Sequence, residues 1–167
     1  MALRGEWSQF AAVIGMLSCV MIALTFLVSW YSADYVPYYG IESGYSVEYA
    51  VGMDKTSDTM STVTIIMSLS LAASVIAAFF SLLGRRLSGV VAGAFSSGFL
   101  FMAGAIFYFG IMDELGLESF SGLTHLNRTW DVVTSPMLGW WLAVTVPVLQ
   151  GAQAVVLAHT FNSPSTR

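Results

Sequence analysis

Hydrophobic positions in this chain gather into four long runs, at residues 10–30, 61–83, 87–112 and 136–159, and none of the four contains an Asp, Glu, Lys or Arg. At 1.5 Å per residue, each run coiled as an α-helix spans a hydrocarbon core of about 30 Å. Polar and charged positions collect between them in two loops, near 31–60 and 113–135, in a tight turn at Arg85-Arg86, and in two short tails. The pattern predicts an all-α membrane protein, a four-transmembrane-helix bundle forming a single membrane domain over residues 1–167. The first run follows Arg4 as a signal peptide would, but its 21 residues exceed a signal core and no small-x-small site follows. It is expected to stay in place as a first span.

Within the first loop the period changes from helical to two. Tyr45-Ser46-Val47-Glu48-Tyr49-Ala50-Val51 alternates and is rich in aromatic and β-branched residues, which predicts a strand, paired in a hairpin with Tyr38–Ile41. Turns are expected at Pro37 and Ser43-Gly44. Asp54 to Asp58 reads as an exposed turn leading into the second span, with Asp58 as N-cap. The second loop opens on Asp113-Glu114 and is expected to form a short amphipathic helix over Leu115–Leu126. Asn127-Arg128-Thr129 then makes a sequon, with Asn127 the candidate glycosylation site.

Small residues mark the faces on which helices approach. In the third span Gly89 and Gly93 form a GxxxG, the four-residue register continues to Ser97, and Gly104 extends the smooth face. In the fourth span Gly139, Ala143, Pro147 and Gly151 recur every four residues. In lipid, where no hydrophobic drive brings helices together, such faces permit close backbone packing. Pro147 removes a backbone donor and predicts a kink near mid-membrane. Gln150 lies one turn further and Gln153 follows. A glutamine in hydrocarbon needs partners, and serines or threonines of the second span are the expected ones. Gln150 and Pro147 therefore form the candidate intramembrane polar site. The two halves of the chain show no repeat, which disfavours an inverted-repeat transporter.

Composition agrees with the pattern: 56% of residues are hydrophobic and 10% charged, with a mean hydropathy of +0.74, against about 25% charged in soluble domains. No basic run suggests nucleic acid. Charge adds an orientation. With both termini cytoplasmic (N-in/C-in), Arg4, Glu6, Arg85, Arg86 and Arg167 lie inside and sum to +3. Lys55, Arg128 and nine carboxylates lie outside and sum to −7. Basic residues, which decide topology, divide four to two in favour of the inside. Trp30, Tyr31 and Tyr35 are expected to cap the outer end of the first span, Trp130, Trp140 and Trp141 to flank the fourth, and Trp7 and Phe161 to mark the inner leaflet. The expected location is the plasma or cytoplasmic membrane.

Catalytic chemistry finds little footing. Cys19 is the one cysteine, so intrachain disulfide relay is excluded. His125 and His159 fall at opposite ends of the bundle, roughly 30 Å apart, too far for one protomer to clamp a haem between them. No carboxylate lies in a span for ion-coupled exchange. Asp54 with Asp58, or Asp113 with Glu114 and Glu118, supply oxygen ligands but read as a solvated acidic face. No catalytic, cofactor or metal residue is assigned.

Cytoplasmic termini, a larger β-leaning first extracytoplasmic loop, a short inner turn and a smaller second loop make a layout that resembles the claudins and peripheral-myelin-protein tetraspans. The resemblance is one of topology: Trp30 precedes the loop, and neither the Gly-Leu-Trp nor the loop cysteines of those proteins are present. The expected function is that of a non-catalytic tetraspan acting through contacts with other membrane protein subunits or with copies of itself in the lipid bilayer. A small oligomeric channel or carrier with a polar site near Gln150 is the alternative, and a cofactor-binding or enzymatic membrane subunit the third.

Overall fold

A computed structural model describes residues 2–37, 43–51, 57–125 and 130–162, with the backbone alone for 2–6, 8 and 159–162. It is mostly helical, with one small sheet. The elements run α1 (Ala2–Thr25), β1 (Ser29–Pro37), β2 (Tyr45–Ala50), α2 (Asp58–Leu82), α3 (Arg86–Leu115), β3 (Gly122–His125), β4 (Trp130–Pro136) and α4 (Leu138–Asn162). Three helices, α2, α3 and α4, are long and apolar enough to cross a membrane, and α1 carries the apolar run Gln9–Thr25. Each helix packs on its chain neighbours and α1 closes on α4. Bulky side chains such as Val13, Val20, Ile65, Phe95, Phe101 and Val148 face outward, as lipid contact requires.

Local chemistry sets the helix ends. The Ser57 hydroxyl accepts the Met60 N–H at 3.1 Å and caps α2, so Asp58 is its first residue rather than its cap. α3 stops at Gly116, whose φ of 62° lies in the left-handed region, with the Leu117 N–H bonded to the Met112 carbonyl at 2.8 Å. Where Leu115–Leu126 was expected to form an amphipathic helix, residues 115–125 instead hold the last helical residue, a turn and β3.

α1 ends at Thr25, short of Trp30, because Trp30 and Tyr31 belong to β1. All strands pair antiparallel in the order β2-β1-β4-β3, so the two loops build one sheet. The strand expected over Tyr45–Val51 is present as Tyr45–Ala50, and its partner is β1; Tyr38–Ile41 lies outside the described residues. Register shifts between Ser29 and Tyr31, and this bulge turns the consecutive Trp30 and Tyr31 both inward. Neither caps a span at a membrane surface; both are fully buried. Beneath the sheet Trp30, Tyr31, Phe107, Phe120 and Trp140 pack with ring centroids 5.0–6.3 Å apart. The Met137 N–H reaches the Trp30 carbonyl at 2.8 Å and fastens the start of α4 to β1.

Candidate functional site

Serines at 70, 74 and 81 fall on one face of α2, and their small side chains let α3 approach. The Ser70 hydroxyl donates to the Ser96 carbonyl and the Ser96 hydroxyl to the Ser70 carbonyl, each at 2.9 Å. α4 brings Gln150 to this pair. Its Nε2 lies 2.6 Å from Ser96 Oγ and 3.4 Å from Ser74 Oγ, and Cys19 Sγ of α1 lies 3.4 Å from the same Ser74 Oγ. One polar cluster thus draws a side chain from each of the four helices.

The donor count fixes the glutamine. Because Ser96 spends its hydrogen on Ser70, its oxygen accepts from Gln150, so the amide nitrogen must face the serines. The carbonyl Oε1 is then turned away, buried and without a hydrogen-bond partner among the described residues. Further along α4 the same logic recurs. Ser81 donates to the Ala77 carbonyl at 2.8 Å and accepts from Gln153 Nε2 at 3.1 Å.

The remaining candidate residues divide among three places. Gly89 and Gly93 are buried against α2, where a Cβ on Gly89 would lie 3.1 Å from Ser81 Oγ and one on Gly93 4.0 Å from the Ala77 Cβ. Ser97 is half-buried, and the buried hydroxyl is that of its neighbour Ser96. Gly104, Ala143 and Pro147 line an apolar groove of about 290 Å³ between α3 and α4. Gly139 is buried against Trp30, whereas Gly151 is exposed with nothing near it. Asn127 lies outside the described residues. Sequence reasoning placed Gln150 in the membrane with span-two serines as partners; it missed Ser96 and Cys19.

Above the bundle, the sheet has two chemically distinct faces. Tyr31, Ala33, Val132 and Thr134 turn inward and are buried. Asp34, Val36, Ser46, Glu48, Leu123, His125, Val133 and Ser135 turn outward and are exposed, with the half-buried Asp131 among them. The Ser32 and Ser135 hydroxyls, one from each loop, meet at 2.9 Å. His125 Nδ1 lies 2.5 Å from Asp131 Oδ1, and Glu48 bonds Ser29 Oγ. Tyr31 donates its hydroxyl proton to the Phe120 carbonyl at 2.5 Å. Burial pushes its pKa up, partly opposed by a hydrogen bond with Thr134. Tyr35 is raised by burial and then by neighbouring Tyr45, against a hydrogen bond with Tyr49. Glu114 is engaged by Ser57 at 2.8 Å, and among the described residues no three His, Cys, Asp or Glu side chains are grouped to hold a metal ion. The chain matches no protein-family model and no curated protein.

Proposed function

We propose that this is a four-span membrane protein with both termini cytoplasmic, acting without catalysis through protein contacts, either as an accessory subunit of a larger membrane complex or in a lateral assembly of its own copies. The observation that carries this reading is the sheet. Both loops are committed to a single platform, anchored over the aromatic cluster, whose outer face is left open. A side-chain cluster that bonds helix to helix, as Ser70, Ser74, Ser96 and Gln150 do, suits a scaffold. Cross-linking in native membranes tests the reading: products above monomer mass are expected. A protein that stays monomeric in mild detergent and cross-links to nothing would sink it. For orientation, a membrane-impermeant maleimide should label Asp34→Cys on intact cells and Arg85→Cys only after permeabilisation, both in a Cys19→Ser background.

A second reading, a small oligomeric channel or carrier, draws on the Gln150 carbonyl, which has no hydrogen-bond partner among the described residues. It requires flux in liposomes that is lost in Gln150→Leu.

A further inference from the structure

The outer face of the sheet carries a pattern finer than its acidity. Register puts Glu48 of β2 opposite Ser32, Asp34 of β1 between Ser46 and Val133, and Asp131 of β4 opposite Val36. The three carboxylates therefore cross three strands on one diagonal, each step separating diagonal neighbours by about 7–8 Å. Exposed apolar side chains flank that line. Val133 and Leu123, a cross-strand pair, lie on one side and Val36 on the other, at 39%, 55% and 48% exposure. None of the described strands contains a Lys or Arg, and His125 is the one basic side chain among them, already beside Asp131.

We infer that this face docks an extended polypeptide segment of a partner protein that carries Arg or Lys at alternating positions and lies along the Glu48–Asp34–Asp131 diagonal. The inference rests on the contact function proposed above and names the partner's chemistry. In an extended chain, residues i, i+2 and i+4 project to one side at intervals of about 6.7 Å, close to the carboxylate spacing and within reach of long side chains. The aliphatic stems of those cations cover Val36, Val133 and Leu123, so charge and apolar area are satisfied by the same side chains. Asp34 and Glu48 contribute most, since Asp131 already has His125.

The test uses the full chain in nanodiscs of zwitterionic lipid and two labelled peptides of one composition, Arg-Thr-Arg-Thr-Arg and Arg-Arg-Arg-Thr-Thr, at low salt. The alternating peptide should bind about tenfold more tightly, the equivalent of two modest exposed charge pairs. That advantage should vanish in Asp34→Asn/Glu48→Gln and shrink in Leu123→Ser, all exposed positions that leave the core intact. Equal affinity for the two peptides reduces the effect to bare charge attraction and overturns the inference. So does binding to neither, or binding that the carboxylate variant leaves unchanged. If the peptides fail while native-membrane cross-links persist, the contact function survives without this partner chemistry. If the cross-links are missing too, both fall.

Discussion

A methyl group has no place at Gly139. Its Cβ would land on the Trp30 ring, 2.9 Å from Nε1, and 3.0 Å from the Ser29 carbonyl oxygen. The indole cannot retreat, being fully buried and bonded through Nε1 to the Thr25 carbonyl at 2.9 Å. Gly139→Ala should therefore cost about 1–3 kcal/mol, as overpacked cores do. Gly151→Ala, three turns along the same helix and facing open space, should be neutral or stabilise by up to about 1 kcal/mol through helix propensity. Thermal melts of the two variants in detergent check the contrast. The sequence put both glycines in one four-residue stripe, but such a stripe drifts around a helix of 3.6 residues per turn. The buried face of α3 shows the same drift, running Gly89, Gly93, Ser96, Leu100, Ala103 and Phe107. The polar cluster was thus legible at Gln150, whose chemistry stands out in an apolar span, and illegible at Ser96, one residue from the extrapolated register.

At the scale of elements, Ser57 joins two helices. Its hydroxyl oxygen caps α2 through the Met60 N–H, and its proton goes to Glu114 near the end of α3. Ser57→Ala should cost about 1–2 kcal/mol, combining a lost cap with a lost charge-assisted bond, and Glu114→Gln should cost less; denaturation of the purified variants measures both. The sheet carries its own titration. Tyr31 and Tyr35 in β1 hold their protons to higher pH than the tyrosine value of about 10 in an unfolded chain. Their stabilising effect is complete below that value. Above it the unfolded chain gives up protons that the folded sheet retains, so stability falls as pH rises through the folded values. Alkaline melts should show this loss, with a shallower decline in Tyr31→Phe and Tyr35→Phe. α2, α3 and α4 were readable because apolar length alone announces them. The end of α1 was not: Trp30 and Tyr31 are apolar in either setting, and hydropathy does not distinguish burial in protein from burial in lipid. Gly116, the left-handed stop of α3, is passed over when Leu115–Leu126 is read as an amphipathic helix.

On the scale of the whole molecule, β1 and β4 join the two loops at the centre of the sheet, a pairing between residues 103 positions apart at Ser32 and Ser135. No local period predicts such a pairing, so alternation pointed to the strand over Tyr45–Val51 but assigned it the nearest segment, Tyr38–Ile41, as partner, where the structure pairs it with β1. Replacing Ser32 and Ser135 with cysteine in a Cys19→Ser background should give an intramolecular disulfide under mild oxidant, since directly opposed antiparallel residues have Cα atoms about 4.5–5.5 Å apart. A mobility shift on non-reducing gels, reversed by reductant, is the expected result; absence of that shift would contradict the β1–β4 pairing.

The same pairing imposes an order on biogenesis. During synthesis β1 and β2 emerge with the first two helices, while the strand that covers the other side of β1 is made only just before the last helix. Until then Tyr31 and Ala33 of β1 lack β4, and until α3 and Phe120 are made they also lack the aromatic surface on which the finished sheet rests. A chain stalled after its second helix would carry an open β edge and the uncovered aromatic side chains of Trp30 and Tyr31, both features that invite aggregation. Chains truncated before residue 130, which lack β4, should therefore be the ones that membrane quality control removes.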